Sequence, residues 1–208
     1  MNNFTLAQIQ RLIEQSLKEE PTGNQFLDSR YEEQVGIIGH TNPYYRLFYL
    51  IAKELQPSFV VELGSWQGTA AAHFAIGHPE SKVVTIDIHR EDKAAQQRCY
   101  EAANHIPNFT YINGWSWDVV DQVKAFNQPI DILYIDAWHD AKYTTQEWDL
   151  YSPLLSDTAL VIGDDITAAY NFEGMREWWD ALPGDSILDP RLHPGIPMGF
   201  LKFIRGKA

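Results

Sequence analysis

The chain has 208 residues, 45% of them hydrophobic and 13% aromatic, so it can bury a full core, and its length favours a single domain. Its formal net charge of −12, with no cluster of Lys or Arg, argues against a surface for nucleic acid or an anionic membrane. Cys99 is the only cysteine, which excludes an intramolecular disulfide, and the sequence shows neither a signal peptide nor an apolar span of about 18 residues. These features predict a cytoplasmic protein that acts on a small molecule, and they leave the oligomeric state open, with a homodimer among the options.

The first 43 residues are predicted to form a helix and a lid-like segment ahead of a core that spans residues 44–208. Apolar side chains recur close to every 3.6 residues between positions 4 and 17, which predicts an amphipathic packing helix. Residues 21–43 are rich in polar and turn-forming residues, Gly36 and Gly39 among them, and predict a loop that folds over a ligand.

From residue 44 onwards, helical and strand patterns alternate. A helix over residues 44–55 leads into a strand over 59–63, a glycine turn and an Ala-rich helix that ends near Gly77. The later strands are predicted over residues 82–88, 109–113, 130–135 and 159–163, and the later helices over 91–104, 117–126, 144–155 and 172–182. This alternation predicts an α/β fold with a doubly wound, mostly parallel sheet and helices on both faces. Two further strands, 186–188 and 198–204, are separated only by a Pro/Gly loop and are predicted to be antiparallel.

Acids and small residues follow the predicted strands at their carboxyl ends, where the ligands of an open α/β sheet bind. These positions are Glu62 with Gly64, Asp87, Gly114 with Ser116, Asp136, and Asp164 with Asp165. We therefore expect the ligand site at this edge of the sheet.

The glycine turn after the first strand indicates the kind of ligand. A diphosphate needs a glycine in the middle of such a turn so that backbone can approach it closely, but Trp66 stands between Gly64 and Gly68. S-adenosylmethionine has no phosphate. The turn and the helix N-terminus suit its amino acid end, and Asp87 is expected to accept hydrogen bonds from both ribose hydroxyls. The alternative is a glycine turn kept for packing and a solvated acid at the next strand end.

Three carboxylates are expected to converge at the ends of two later strands. Asp136 ends one strand and Asp164 with Asp165 ends the next, so three repelling charges meet if these strands are neighbours. A divalent cation such as Mg²⁺ relieves that repulsion and prefers oxygen ligands. The alternative is that Asp165 caps the next turn and Asp136 holds the amino group of the ligand. His139 is placed to take a proton from a substrate hydroxyl, or else is a solvated or supporting side chain.

The six tryptophans other than Trp66 fall into two groups. Trp115, Trp117 and Trp138 lie at strand ends, where an aromatic face can cover an adenine ring. Trp148, Trp178 and Trp179 lie on predicted helices and are expected to pack in the core. The remaining histidines show no metal-ligand spacing and are assigned no metal role: His40, His73, His78, His89, His105 and His193.

With Glu62-Leu-Gly-Ser-Trp-Gln-Gly68 and Asp87 in place, residues 44–166 resemble the core of class I S-adenosylmethionine-dependent methyltransferases. The motifs Gly114-Trp-Ser-Trp-Asp118, Asp136-Ala-Trp-His139 and Gly163-Asp-Asp165 are most similar to those of the catechol O-methyltransferases and their bacterial relatives. The resemblance implies one methyltransferase domain over residues 1–208, with a Rossmann-like sheet of about seven strands whose last strand runs antiparallel.

The resemblance also implies roles for individual residues. Mg²⁺ would be bound by Asp136, Asp164 and Asp165, and the residue at position 139 would act as the base. S-adenosylmethionine would be held by strand-end residues, with Trp138 on the adenine: Glu62, Gly64, Ser65, Trp66, Gly68, Thr69, Asp87, Ile88, Trp115, Ser116, Trp117, Asp136 and Trp138.

Two positions depart from the catechol enzymes. Asp165 replaces an amide, although the related macrolide and aminocoumarin sugar O-methyltransferases also have a paired Asp there, so metal binding is compatible with the change. His139 replaces a lysine, which keeps a proton acceptor at this position. The catechol enzymes also hold the second substrate hydroxyl with a late glutamate, and none aligns in residues 189–198. The sequence therefore leaves the acceptor open.

The leading hypothesis is O-methylation of a small molecule. The metal on Asp136, Asp164 and Asp165 would bind the substrate hydroxyl, and His139 would remove its proton. There are three alternatives. They are a metal-independent methyltransferase in which Asp136 touches only the cofactor, a binding protein that keeps the cofactor pocket without the chemistry, and a nicotinamide oxidoreductase, against which Trp66 argues.

Overall fold

The computed structural model describes residues 4–18, 22–38, 42–89, 92–167, 174–193 and 196–206. Within these ranges the strands are β1 Phe59–Leu63, β2 Lys82–Asp87, β3 Phe109–Asn113, β4 Ile130–Ile135, β5 Leu155–Gly163, β6 Asp185–His193 and β7 Ile196–Ile204. They form one sheet in the order β3-β2-β1-β4-β5-β7-β6. The first five strands pair in parallel, and β7 runs antiparallel to β5 and β6. The prediction of a seven-stranded, mostly parallel sheet with an antiparallel C-terminal strand is confirmed.

The helices in the same ranges are α1 Leu6–Ser16, α2 Gln25–Ile38, α3 Tyr44–Leu55, α4 Thr69–Gly77, α5 Lys93–His105, α6 Val120–Lys124, α7 Ala141–Tyr151 and α8 Met175–Asp180, with a 3₁₀ turn over Ser152–Leu154. Side-chain caps explain where three of them begin. The side chain of Thr5 accepts the backbone N–H of Gln8 at the start of α1. The side chains of Asp92 and Asp140 each accept a backbone N–H of their own helix, at the starts of α5 and α7.

The central strands are buried on both faces because successive side chains point in opposite directions. All five residues of β1 are buried. Val60 packs in a core with Phe48 of α3 and Phe74 of α4, whereas Val61 packs in a second core with Val123 of α6. Helices therefore cover both faces of the sheet, and the strand ends are left to form the site.

Two glycines on neighbouring strands make room for a buried indole. Gly163 of β5 is the register partner of Gly199 of β7. A Cβ on Gly163 would lie 2.9 Å from the ring of Trp179, and a Cβ on Gly199 would lie 2.5 Å from it. Trp179 is fully buried, and Trp178 packs edge-to-face with Trp148. The expected packing role of these three tryptophans is confirmed.

Helix α2 corrects the prediction of a loop over residues 21–43. Asn24 Oδ1 accepts the backbone N–H groups of Phe26 (3.1 Å) and Leu27 (3.2 Å), which caps the helix, and Leu27 is fully buried. This capping and burial outweigh the cost of a glycine at position 36, about 1 kcal/mol in a helix interior. Residues 39–41 of the predicted loop lie outside the described residues, and a lid role stays a prediction.

Other differences concern the ends of elements. The helices predicted over 117–126 and 172–182 are shorter in the structure, as α6 and α8, and residues 172–173 lie outside the described residues. Helix α7 begins at Ala141 because Asp140 caps it, and Leu155 starts β5 instead of ending a helix. Of the helices that the structure describes, none combines the length and the apolar composition needed to cross a bilayer.

Candidate functional site

A cavity of about 670 Å³ lies at the carboxyl ends of β1, β2, β4 and β5. The strand order reverses between β1 and β4, which is the point at which open α/β sheets bind ligands. The cavity wall includes every predicted cofactor, metal and catalytic residue except Gly68 and Trp117. The prediction that strand-end residues assemble at one edge of the sheet is therefore confirmed for all but these two.

The turn between β1 and α4 requires glycine at two positions. Gly64 has φ +91°, and a Cβ on it would lie 1.9 Å from the backbone oxygen of Asp136, so the turn passes directly against the end of β4. Gly68 has φ +72° and is the N-cap of α4, where a Cβ would lie 3.3 Å from Cys99 Sγ. Gly68 thus shapes the turn from behind the cavity wall. Trp66, with φ +42° and 38% exposed, lies in the wall itself.

Side chains from other parts of the chain hold the backbone of this turn. Asp87 Oδ2 accepts two consecutive backbone N–H groups of the turn, each at 2.9 Å. The carbonyl of Trp66 accepts a hydrogen bond from His89 Nε2, and that of Gln67 accepts one from Arg30 Nη1 at 3.1 Å. The turn is therefore preorganised, and Asp87 serves as its anchor in addition to the ribose role predicted for it.

A buried acid lies beneath the turn. Glu62 is 1% exposed and accepts a hydrogen bond from the hydroxyl of Thr85, which also lies 2.6 Å from the hydroxyl of Ser65. Burial raises the pKa of Glu62 well above its usual value, and the Thr85 hydrogen bond opposes that rise. The site thus favours the neutral form of Glu62 more than water does.

Four aromatic rings stack where β3 and β4 end. The ring centroid of Trp115 lies 4.8 Å from that of Trp117 and 5.6 Å from that of Trp138. Tyr143 of α7 contacts both Trp117 and Trp138. The predicted clustering of the three tryptophans is confirmed. Trp117 does not line the cavity, so its predicted cofactor contact stays a prediction, whereas Trp138 lines the cavity and is 49% exposed.

The predicted carboxylates meet around His139. His139 Nε2 lies 3.0 Å from Asp136 Oδ1, and Nδ1 pairs with Asp165 Oδ2. Tyr134 donates a hydrogen bond to Asp136 Oδ2 at 2.8 Å. Burial alone would lower the pKa of His139, but its hydrogen bonds to Asp136 and Asp165 outweigh burial and raise that pKa to about 11. In this arrangement His139 is a cation held between two carboxylates.

Asp164 completes the acid cluster. It is 5% exposed, and burial, together with the charges of Asp136 and Asp165, raises its pKa well above the usual value. The Oδ1 atoms of Asp164 and Asp165 are buried and have no hydrogen-bond partner among the described residues. This end of the cavity therefore holds two buried carboxylate oxygens without a hydrogen-bond donor from the residues that the structure describes.

The central part of the chain matches a known protein family. A family model described as a methyltransferase domain matches residues 61–166, which is half of the chain. The chain belongs to this methyltransferase family. The resemblance to class I S-adenosylmethionine-dependent methyltransferases is thereby confirmed, and the alternative of a nicotinamide oxidoreductase falls away.

Similar proteins carry O-methyltransferase names. Catechol O-methyltransferase of Bos taurus is 24% identical over 161 residues, 76% of this chain and 50% of that protein. Rhamnosyl O-methyltransferase of Mycobacterium tuberculosis is 32% identical over 125 residues, 55% of this chain and 48% of that protein. The methyltransferase chain thus spans about half the length of the curated relatives that it matches.

Solved structures share the fold at low sequence identity. The O-methyltransferase TomG from Streptomyces achromogenes, in complex with S-adenosylmethionine, has a TM-score of 0.66 and 18% identity, covering 89% of this chain and 92% of that one. An O-methyltransferase from Bacillus cereus, in complex with S-adenosylhomocysteine, has a TM-score of 0.69 and 15% identity, covering 93% of this chain and 99% of that one. The sheet therefore has the Rossmann-like methyltransferase fold.

The acids of this methyltransferase suit a divalent cation in their chemistry. They supply hard oxygen donors, and the buried Oδ1 atoms of Asp164 and Asp165 have no hydrogen-bond partner among the described residues. As the side chains stand, the described ranges contain no set of three His, Cys, Asp or Glu residues arranged to hold a metal ion. The imidazole of His139 takes up one oxygen each of Asp136 and Asp165, so a cation would compete with it for them.

Some wall residues of the methyltransferase cavity were not predicted. Tyr44 and Tyr45 start helix α3, Asn42 Nδ2 donates to the Tyr44 hydroxyl at 3.0 Å, and His193 at the end of β6 lies 4.0 Å from Asp165 Oδ1. The sequence pattern assigned the tyrosines to a helix without a site role and gave His193 no metal role. Their position in the site follows from tertiary packing, which brings the start of α3 and the end of β6 to the ends of β4 and β5.

Glu147 was also missed. It lies on α7, is fully buried, borders the cavity and accepts a hydrogen bond from the hydroxyl of Ser116. The sequence carries one signal for it, since Glu147 stands three residues after Thr144 and four before Tyr151, on the buried face of the helix. An acid in that position marks a polar contact inside the protein.

Proposed function

We propose that this chain is an S-adenosylmethionine-dependent O-methyltransferase that acts on a hydroxyl group of a small molecule. The observation that carries the proposal is one cavity with two chemically distinct sides. The glycine turn and Asp87 form the side at β1 and β2, and the acid cluster with His139 forms the side at β4 and β5. Relatives named as O-methyltransferases, two of them solved with S-adenosylmethionine or S-adenosylhomocysteine, support the same assignment.

The cofactor side offers a partner for each part of S-adenosylmethionine. The turn around Gly64 and the N-terminus of α4 suit the carboxylate of its amino acid end. Asp87 borders the cavity with its carboxylate directed at the turn, where the ribose hydroxyls would lie. Trp115 and Trp138 provide stacking faces for the adenine.

The acceptor side supplies the groups that methyl transfer needs. The acceptor oxygen attacks the methyl carbon in line, the new C–O bond forms as the C–S bond breaks, and the electron pair stays on sulfur. We assign His139 to receive the hydroxyl proton and Asp136 to orient its ring. His139 does this as the neutral imidazole, after the proton that its ring carries between the two carboxylates has passed to solvent. Asp136, Asp164 and Asp165 are the residues that would hold a divalent cation, which would supply Lewis acidity beside the acceptor hydroxyl.

Methyl transfer from S-adenosylmethionine labelled in its methyl group tests the proposal. Catechol and methyl rhamnoside serve as acceptors, with Mg²⁺ and with excess EDTA. We expect transfer in Mg²⁺, its loss in EDTA, and a turnover at least about 10-fold lower for Asp164→Asn. The matched control is Asp121→Asn, which changes an exposed acid that pairs with Lys124, and its turnover should stay within about twofold of wild type. The proposed function would be contradicted if the protein bound no S-adenosylhomocysteine and transferred the methyl group to no hydroxylated acceptor.

One observation favours a metal-independent methyltransferase as the second candidate. The His139 cation already lies between Asp136 and Asp165, where it forms an ion pair with each and balances one of their two negative charges. In that case EDTA and Asp164→Asn would leave turnover nearly unchanged, whereas His139→Gln would abolish it. A small-molecule acceptor, a cytoplasmic location and a homodimer stay predictions from the sequence.

A further inference from the structure

A buried acid in the cavity wall, near the end of β3, has a carboxylate oxygen without a hydrogen-bond partner among the described residues. Glu147 is 0% exposed and borders the cavity. Its Oε1 accepts a hydrogen bond from Ser116 Oγ, and its Oε2 has no hydrogen-bond partner among the residues that the structure describes. A buried acceptor left unpaired is costly, and such a group in the wall of a cavity indicates a donor on the ligand.

The surroundings of Glu147 indicate which part of the ligand supplies that donor. Ser116 follows β3, and its carbonyl accepts a hydrogen bond from the Tyr151 hydroxyl at 2.7 Å, which ties this loop to α7. Trp115, the neighbour of Ser116, stacks on Trp138 in the cavity wall. Aromatic stacking faces beside a buried acceptor suit a planar base that carries an N–H donor at its edge.

We propose that Glu147 Oε2 accepts a hydrogen bond from the exocyclic amino group of the cofactor's adenine, and that Glu147 thereby selects adenine over 6-oxo purines. The inference rests on the proposed function, because it takes S-adenosylmethionine as the occupant. In this arrangement Glu147 Oε1 accepts the hydrogen bond of Ser116, and Oε2 accepts that of the adenine amino group. A 6-oxo purine presents an acceptor at the same point, so two acceptors would face each other and remain unpaired.

The test compares two ligands that differ in the 6-substituent of the purine, S-adenosylhomocysteine and S-inosylhomocysteine, by calorimetry. Wild type is expected to prefer the adenosyl ligand by at least about 10-fold, because the 6-oxo group leaves Glu147 Oε2 and the ligand oxygen facing each other without a donor. Glu147→Leu should lower affinity for the adenosyl ligand by about 10-fold and change affinity for the inosyl ligand little. Glu147→Gln, whose amide offers both a donor and an acceptor, should still bind the adenosyl ligand but should prefer it over the inosyl ligand by a smaller factor than wild type does.

The ratio of the two affinities separates base recognition from a structural role. Asp149→Asn removes a carboxylate from the exposed side of the same helix and is expected to leave the ratio unchanged. Equal affinity of wild type for both ligands, or an equal loss of both in Glu147→Leu, overturns the inference. If Glu147→Leu does not fold, an unchanged ratio in Glu147→Gln overturns it. Failure of the proposed function looks different, because wild type would then bind neither ligand.

Discussion

At the scale of single residues, Gly64 joins the two sides of the cavity. The turn after β1 passes so close to the end of β4 that a Cβ on Gly64 would lie 1.9 Å from the backbone oxygen of Asp136. Asp136 in turn contacts His139. The position of the cofactor turn relative to the acid cluster is therefore set by direct backbone contact, with no flexible side chain between them.

We expect Gly64→Ala to lower the free energy of unfolding by about 2–5 kcal/mol, because a left-handed alanine costs about 1–2 kcal/mol and an added clash about 1–3 kcal/mol. S-adenosylhomocysteine binding should be lost with it. Denaturant unfolding and calorimetry provide the measurements. Gly23→Ala is the matched control, since Gly23 has φ +76° but nothing within 4 Å of its Cβ position. Equal destabilisation in the two variants would show that the close approach is irrelevant.

Glu147 is expected to make stability depend on pH. Burial raises its pKa from 4.5 to about 7, against the opposing hydrogen bond of Ser116, so the folded protein binds this proton more tightly than the unfolded chain. The stabilising contribution is complete below the unfolded pKa and is lost as the pH rises through the folded pKa. Between about pH 5.5 and about pH 8.5, wild type should lose about 2 kcal/mol of unfolding free energy relative to Glu147→Gln.

Denaturant unfolding at each pH measures this difference. The control is Asp149→Asn on the exposed side of α7, whose difference from wild type should stay within about 0.5 kcal/mol throughout. A pH-independent gap between wild type and Glu147→Gln would mean that the buried carboxyl does not change its protonation.

Prediction from sequence succeeded for site residues that end parallel strands, because such strands all end at one edge of the sheet. Asp87, Asp136 and Asp164 belong to this group. It failed for Glu147 and His193, which lie on a helix and on an antiparallel strand. Which way those side chains face depends on how their elements pack, and no strand-end rule reports that.

At the scale of elements, helix α2 contributes to the cofactor turn although it lies outside the residues that match the family model. Arg30 is 5% exposed and stacks over Phe26. Its guanidinium donates to the carbonyl of Gln67 at 3.1 Å and to that of Arg98 at 2.9 Å. One side chain therefore joins α2, the turn before α4, and α5.

Arg30→Met is expected to raise the KM for S-adenosylmethionine and the Kd for S-adenosylhomocysteine by about 10-fold, since hydrogen bonds to charged groups contribute about 1.5–3 kcal/mol. The turnover number should change little, because Arg30 holds the turn and does not border the cavity. Steady-state kinetics and calorimetry check both values. The exposed Arg11, paired with Glu54, offers Arg11→Met as a control without effect on either constant. A fall in turnover at unchanged KM would contradict this role.

The helices and strands whose sequence patterns are local and clear were predicted best. Helix α3 and strands β3 and β4 have the predicted bounds, because continuous apolar runs or a clean helical period end at turn residues. Helix α2 was predicted as a loop because its glycine and polar content was weighed above the spacing of Leu27, Tyr31 and Val35. That spacing of four residues is the signal that identifies the helix.

At the scale of the whole molecule, the net charge of −12 opposes the compact state through self-repulsion. Raising NaCl from about 50 mM to about 500 mM shortens the screening length severalfold and should raise Tm by about 2–4 °C, equivalent to about 1 kcal/mol. Thermal melting measures the shift. A fall in Tm with salt would show that attractive ion pairs dominate.

Mg²⁺ offers a second comparison in the same experiment. At matched ionic strength, MgCl₂ should stabilise wild type beyond NaCl if the acid cluster binds the ion, because a ligand of the folded state raises its stability. Asp164→Asn should then lose only that excess. Equal Tm values in the two salts would favour the metal-independent candidate.

The order of the sheet followed from the sequence only in part. Alternating strands and helices imply right-handed crossovers and a parallel centre, as observed. The sequence did not show that β7 inserts between β5 and β6, which brings His193 to the acid cluster. That placement depends on long-range pairing between strands whose local pattern fits either edge position.

The indole of Trp179 over Gly163 and Gly199 has an evolutionary consequence. A larger residue at either glycine would push the ring off the sheet, and a smaller residue in place of Trp179 would leave a cavity. A substitution at one of the three positions therefore requires a second substitution at another, so that a larger residue on the strand is matched by a smaller ring above it. Because Gly163 directly precedes Asp164, such an exchange would also shift the acid cluster. Descendants that acquire new acceptors should vary elsewhere and inherit this trio unchanged.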